Sequence, residues 1–180
     1  MRKKIIELDA TYTQYIRIAE KPGLLRNMAI LFAHSGDSWF WLVGLALLWF
    51  ISDEQWKAIS VTMVSGIALT AIIVFVLKFT IRRKRPEGDW GTIYRKTDPH
   101  SFPSGHAARA VMLAIVAIGL CPLWFATLLT IWAPLVILAR VAMGVHYLSD
   151  VIAGAMVGTI TGLVILQFHP YLINWLHLNL

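Results

Sequence analysis

From Ala58 to Leu77 the chain runs for twenty residues without a charge, and from Ala110 to Leu138 it does so again for longer. About 20 apolar residues, each rising ~1.5 Å, match the ~30 Å hydrocarbon layer of a bilayer. No water is present in that layer to satisfy backbone N–H and C=O groups, so such a run must fold as a helix that bonds to itself. The second run is too long for one crossing, and Gly119-Leu120-Cys121-Pro122 interrupts it. It divides into a helix over Ser104–Cys121 and another over Leu123–Ala142, with Pro134 a site for a kink. Val151–Phe168 forms a further span. Ser38–Ser52 is uncharged but short, and crosses only by starting in the polar segment before it or by thinning the bilayer.

The expected fold is therefore an all-α integral membrane protein with about five transmembrane helices, organised as a single domain over residues 1–180. Residues 8–33 mix charges with Ile16, Ile18, Leu24, Leu25, Met28 and Leu31, and read as an amphipathic segment broken near Pro22-Gly23, part of an N-terminal region 1–35. A sixth span there would have to carry Arg17, Glu20, Lys21 and Arg26. Trp39, Trp41, Trp49, Trp56 and Trp124 fall near span ends, as an aromatic belt does. Gly154, Gly158 and Gly162 recur every fourth residue and leave one face of the last span smooth enough for close helix packing.

Composition agrees. The chain is 58% hydrophobic and 14% charged, against about 25% charged in soluble domains. Its formal net charge of +6 comes from Lys and Arg clustered at 1–26 and 78–96, which suits anionic headgroups or a phosphate substrate. Too little polar surface remains for a nucleic-acid partner. The single cysteine, Cys121, excludes an intrachain disulfide and a cysteine zinc site, and reads as a packing residue. The N-terminus has no apolar stretch of signal-peptide type.

Ionisable residues at membrane depth are costly and invite a functional reading. Three polar stations stand out. In Lys78–Pro86, Lys78 and Arg85 are seven apart, so both fall on one helix face and together can grip a phosphate. In Pro103-Ser104-Gly105-His106, Ser104 caps a helix and Gly105 lets an anion approach its free N–H groups, with His106 at the mouth. In Ala139–Asp150, Arg140 ends one span, and His146 and Asp150 precede the next at i and i+4. A carboxylate on one imidazole nitrogen fixes the tautomer and leaves the other nitrogen free as a nucleophile. With five spans, all three stations lie on one membrane face. Arg82, Arg83 and Lys84 read as headgroup contacts, Asp98 and His100 as loop residues, His34 and Asp37 as caps of the first span, and Glu87, Trp90 and Tyr94 as lining an entrance.

These residues, Lys78-x6-Arg85-Pro86, Pro103-Ser104-Gly105-His106 and Arg140-x5-His146-x3-Asp150, resemble the three-part signature of the type 2 phosphatidic acid phosphatase (PAP2) superfamily, which includes membrane lipid phosphatases and soluble vanadium haloperoxidases. The third motif usually opens with Ser, where this chain has Ala139. The resemblance implies a PAP2/haloperoxidase-like helical bundle with its catalytic motifs over residues 78–150. It implies that His146 attacks phosphorus to form a phosphohistidine and that Asp150 orients it. His106 protonates the leaving oxygen and then activates water. Lys78, Arg85, Arg140, Ser104 and the Gly105 amide hold the phosphoryl oxygens. No carboxylate cluster suited to Mg²⁺ is found near the stations, so no metal and no cofactor are expected.

The expected activity is hydrolysis of a lipid phosphomonoester or pyrophosphate, such as phosphatidic acid, phosphatidylglycerophosphate, undecaprenyl pyrophosphate or a lipid A phosphate. Rival readings are a lipid phosphotransferase and a non-catalytic lipid-binding or transport protein. The partners are a membrane lipid phosphate and the bilayer, in a multi-pass protein of a bacterial cytoplasmic membrane; oligomeric state stays open. The excess of Lys and Arg on the site side favours a cytoplasmic site, although some of these charges belong to the site itself.

Overall fold

A computed structural model describes residues 2–88, 90 and 98–176, with side chains from residue 7 onward. Seven helices follow in order: α1 (Arg2–Ile16), α2 (Leu24–Ser35), α3 (Ser38–Ile51), α4 (Glu54–Ile81), α5 (Gly105–Leu120), α6 (Leu123–Ala142) and α7 (Leu148–Trp175). Each of the five expected spans corresponds to a helix. Three of them, α4, α6 and α7, are long and apolar enough to cross a membrane unaided, and α5 is shorter at 16 residues. Helix α3 alone is too short, but α2 and α3, bent by 59° at their junction, are together apolar and long enough for a broken span or a re-entrant pair. The segment expected to be amphipathic is thus two helices with different roles, separated at residues 17–23.

The helix ends follow from local chemistry. The Asp53 carboxylate accepts the backbone N–H of Trp56 (3.0 Å) and starts α4. Arg82 ends it in the left-handed region, at φ 51°. The Ser104 side chain accepts from the Ala107 N–H at the start of α5. The Asp150 side chain reaches back to the Tyr147 N–H (2.8 Å) at the start of α7. Pro122 begins α6, and that helix continues through Pro134.

Helix α5 sits at the centre, packed on α4, α6 and α7. Its buried surface interleaves five alanines, Ala107, Ala108, Ala110, Ala114 and Ala117, with the larger Arg109, Met112, Leu113 and Val116. Lipid tails are as apolar as any side chain, so membrane helices associate through close fit rather than through hydrophobic drive, and small residues permit it. The glycine stripe of α7 completes that fit. A Cβ on Gly154 would stand 2.5 Å from the Ser104 carbonyl oxygen, one on Gly158 would collide with the Ala108 carbonyl oxygen, and one on Gly162 would meet the Ile115 Cβ at 2.8 Å. Outward faces carry large apolar residues instead, including Ile72 and Phe75 on α4, Leu128 and Ile131 on α6, and Met156 and Ile160 on α7.

Two tryptophans leave the expected belt. Trp41 packs on Trp132 and donates Nε1–H to the Ser35 carbonyl (3.1 Å), while Trp56 packs on Phe125 in the core. Trp39, Trp49 and Trp124 remain exposed. Cys121 packs against the main apolar cluster. Helix α1 is tied to the site end of the bundle. Thr13 Oγ1 accepts from the Leu148 N–H (3.1 Å), and the Ala142 carbonyl accepts from the Ile18 N–H (2.9 Å) just beyond the helix.

Candidate active site

The end of α4, the start of α5 and the α6–α7 connection meet at one end of the bundle. The backbone sets this. The Ser104 N–H donates to the Asp150 carbonyl (2.9 Å) and the Ser101 N–H to the Arg83 carbonyl (2.8 Å), so all three stations share one hydrogen-bonded scaffold. Lys84 and His100 add an isolated antiparallel bridge.

Lys78 and Arg85 converge, but not along one helix face. Helix α4 ends at Ile81, and the left-handed residue Arg82 turns the chain so that Arg85 returns from outside the helix. Both cations hold the carboxylate of Asp98: Lys78 through an ion pair, and Arg85 through Nη2 at 2.8 Å. Arg85 Nε also donates to the Asp98 carbonyl (2.7 Å). Asp98, read from sequence as a loop residue, therefore occupies a two-cation cradle. Burial works to raise its pKa, but the charges of Lys78 and Arg85 outweigh this and hold the carboxyl below its ordinary value.

His146 lies beside that cradle and is 1% exposed. Arg85 Nη1 donates to the Val145 carbonyl (2.9 Å) and stands 3.3 Å from His146 Nε2. A guanidinium has only donors, so the nitrogen facing it carries the lone pair, and the ring proton belongs on Nδ1. Burial, followed by the charges of Arg140, Arg85 and Lys78, pushes the His146 pKa well below its ordinary value. The imidazole is thus neutral, with the Nε2 lone pair turned toward the cations.

Asp150 does not make the expected hydrogen bond to His146, since its Oδ2 stands 3.7 Å from Nδ1. Its carboxylate is fully buried and is held by the Tyr147 N–H and by Arg83 Nη1 (2.8 Å). Arg83 also bonds Asp9 of α1 (2.7 Å) and Ser149 (2.6 Å), and stacks on Tyr147. It is therefore part of the scaffold rather than a headgroup contact. Arg82 differs: its Nε donates to the Phe79 carbonyl and it stays exposed.

His106 enters from the other side. Its Nε2 lies 2.6 Å from Oδ1 of Asp37, and the second oxygen of Asp37 lies 3.3 Å from Nδ1 of His34. Asp37 occupies the N-cap position of α3 but makes no capping bond, contrary to the sequence reading. Arg140 is 1% exposed and lies within electrostatic reach of both His106 and His146. Ser104 is fully buried with its hydroxyl over the helix end, whereas Gly105 borders a cavity, and a Cβ there would make an ordinary contact with Val74 at 3.5 Å. A cavity of about 270 Å³ has Lys78, Asp98, Gly105 and Arg109 at one part and Ala71, Val74 and Phe75 at another. Trp90 packs near Arg140 and Val145, and Tyr94 falls outside the described residues. Among the described residues, no group of three His, Cys, Asp or Glu side chains is placed to hold a metal ion.

Sequence reasoning missed Asp37, Arg83, Asp98 and Arg109 as members of this region. One signal was available for Asp37, Arg83 and Arg109: each is an ionisable residue beside or within an apolar run, where charge persists only with a partner, whereas Asp98 sits in a polar loop with no such signal.

The chain is similar in sequence and fold to known proteins. Residues 59–174 match the family described as the PAP2 superfamily. The chain is 30% identical over 148 residues to an undecaprenyl-diphosphatase of Sulfolobus acidocaldarius, covering 81% of this chain and 69% of that protein. Its fold is similar to that of a PAP2-type phosphatidylglycerolphosphate phosphatase from Bacillus subtilis, with TM-score 0.75, 22% identity, and 93% and 87% of the two chains covered. It is also similar to LpxE of Aquifex aeolicus, with TM-score 0.70, 28% identity, and 89% and 95% covered. With the three spaced motifs gathered at one end of a helical bundle, and the family matched over most of its length, this chain belongs to the PAP2 superfamily of membrane phosphatases.

Proposed function

We propose that this membrane lipid phosphatase cleaves a lipid phosphomonoester or diphosphate through a phosphohistidine on His146. The observation that carries the reading is the neutral, buried His146 with its Nε2 lone pair 3.3 Å from Arg85 and beside the Lys78–Arg85 cradle. The cradle holds the Asp98 carboxylate, which supports a site for an oxyanion, and a phosphate would displace Asp98 from it. Arg140 and the Gly105 backbone at the cavity edge complete the reach around the remaining oxygens, while Ser104 holds the helix end in place.

In the first step the His146 Nε2 lone pair forms the N–P bond as the P–O bond to the lipid breaks. That bond pair stays on the lipid oxygen, which takes a proton from His106. In the second step a water oxygen bonds to phosphorus and gives its proton to His106, while the N–P pair returns to His146. Asp150 fixes the segment bearing His146 and balances its charge from 3.7 Å. Such transfers rely on positioning and on charge stabilisation of the oxygens. The cavity between α4 and α5 joins the cradle to an apolar wall at Ala71, Val74 and Phe75, which supports a substrate with a lipid chain attached to its phosphate. The undecaprenyl-diphosphatase relative supports a polyprenyl diphosphate as one member of that class.

Purified protein in detergent should release phosphate from polyprenyl diphosphate, phosphatidic acid or phosphatidylglycerophosphate. The His146→Ala variant should release none, and the wild type should form an acid-labile phosphoenzyme. Retained turnover in His146→Ala would sink the mechanism. Transfer to an added alcohol in place of water would instead mark a phosphotransferase. The clustering of basic residues at 1–26 and 78–96 supports a site opening to the cytoplasm, in a bacterial cytoplasmic membrane. Labelling of a cysteine introduced within 88–97 by an impermeant reagent in intact cells would overturn that placement.

A further inference from the structure

The α2–α3 turn is built to hold one carboxylate against His106. Ser35, the last residue of α2, and Gly36 in the turn are pinned from three directions. Trp132 of α6 donates Nε1–H to Ser35 Oγ (2.9 Å), and Trp41 of α3 donates to the Ser35 carbonyl (3.1 Å). Arg109 of α5 donates Nε–H and Nη2–H to the Gly36 carbonyl, at 2.9 and 2.5 Å. Arg109 lies one turn below His106 on the same helix, so the clamp and the histidine share a rigid element. Gly36 is part of the fit: a Cβ there would stand 3.2 Å from His106 Cδ2 and 3.1 Å from Val136. With the turn fixed, Asp37 Oδ1 reaches His106 Nε2 at 2.6 Å.

The charges around His106 give this contact its importance. The ring is buried, and the guanidinium groups of Arg140 and Arg109 both lie within electrostatic reach of it. Asp37 is the carboxylate bonded to the ring, and its second oxygen is shared with His34, whose side chain is 42% exposed. Nε2 is committed to Asp37, and Nδ1 has no hydrogen-bond partner among the described residues, so Nδ1 is the nitrogen open to a leaving oxygen. A donor with one nitrogen on a carboxylate and the other free is oriented, and its protonated form is stabilised.

We propose that Asp37 is the positioning residue for the proton donor of the reaction: it holds His106 by Nε2, in the orientation that leaves Nδ1 toward the leaving lipid oxygen, which takes a proton as the P–O bond breaks. This rests on the phosphohistidine reading above. It adds a residue outside the three motifs, contributed by the helix pair that precedes them in the chain.

The test compares two leaving groups. A lipid alkoxide is too basic to depart without a proton, whereas p-nitrophenolate departs without one. In the full-length protein, Asp37→Asn should lower kcat/KM for a lipid phosphate about 100-fold, the lower end of general-acid contributions. It should lower kcat/KM for p-nitrophenyl phosphate no more than about 3-fold, because the proton no longer matters there. In a His106→Asn background, Asp37→Asn should cost the lipid reaction nothing further. Equal losses on both substrates, or a full additional loss in the His106→Asn background, would overturn the proposal and leave Asp37 a structural residue. Trp132→Phe keeps Asp37 but loosens its turn, and should give the same split between substrates at smaller size. This variant reads the idea independently if the Asn variant fails to fold, and equal losses there overturn it as well. Activity surviving in His146→Ala would refute the underlying mechanism instead.

Discussion

Arg85 Nη1 stands 3.3 Å from Nε2 of His146, and the same guanidinium holds Asp98 through Nη2 and Nε. One side chain therefore presents the proposed nucleophile and builds the anion cradle next to it. Lysine cannot reproduce that fork. We expect Arg85→Lys to lower kcat/KM on a lipid phosphate by about 10- to 100-fold, the equivalent of one charge-assisted hydrogen bond of roughly 1.5–3 kcal/mol. Steady-state rates over a range of substrate concentrations check this, and an unchanged rate would remove Arg85 from the site.

The neutral state of His146 has a consequence for stability. Its folded pKa is pushed well below the ordinary value by burial and by Arg140, Arg85 and Lys78. Between the folded value and about 6.5, the unfolded chain binds a proton that the folded chain does not. Stability must then fall as pH drops below about 6.5, and the contribution ends at the lower folded pKa. Thermal unfolding in detergent at several pH values should show a steeper acid loss in wild type than in His146→Gln.

On the proposed mechanism, Asp98 competes for the site that a phosphate would take. Removing its charge should tighten competitive inhibition by inorganic phosphate about 2- to 5-fold in Asp98→Asn, in line with one displaced ion pair at a partly exposed position. The same variant leaves Lys78 and Arg85 facing each other, so it should melt earlier than wild type and recover when phosphate is added. A variant that binds phosphate more weakly would show that Asp98 belongs to the binding machinery instead.

Arg83 is the counter-ion of a fully buried carboxylate, Asp150, and also holds Asp9 of α1. Arg83→Ala strands Asp150 and should cost about 3 kcal/mol of stability. Asp9→Asn, which keeps the Arg83–Asp150 pair, should cost clearly less. Denaturation of the two variants side by side gives the order, and the reverse order would contradict the scaffold role of Arg83.

The close approach of α7 to α5 predicts a graded glycine series. Gly158→Ala pushes against the Ala108 backbone and should destabilise by about 1–3 kcal/mol. Gly44→Ala meets nothing within 4 Å and should be neutral or stabilising. Equal effects at the two positions would mean that α5 and α7 do not pack this closely.

The sequence by itself determined the helices and the three stations. An uncharged run of membrane length has one way to satisfy its backbone, so its helices and their breaks at Cys121-Pro122 and Pro22-Gly23 can be read directly. The spacing of Lys78, Arg85, His106, Arg140, His146 and Asp150 is a local property in the same way. What the sequence does not encode locally is which charge answers which. Lys78 and Arg85 share Asp98 only because Arg82 turns the chain out of the helix, and Asp150 is held by Arg83 rather than by His146. Asp37 reaches His106 across 69 residues because Trp132 and Arg109, from two other helices, fix the turn that carries it. A buried charge takes its partner from whatever packing brings within about 3 Å, and that choice is made by the fold.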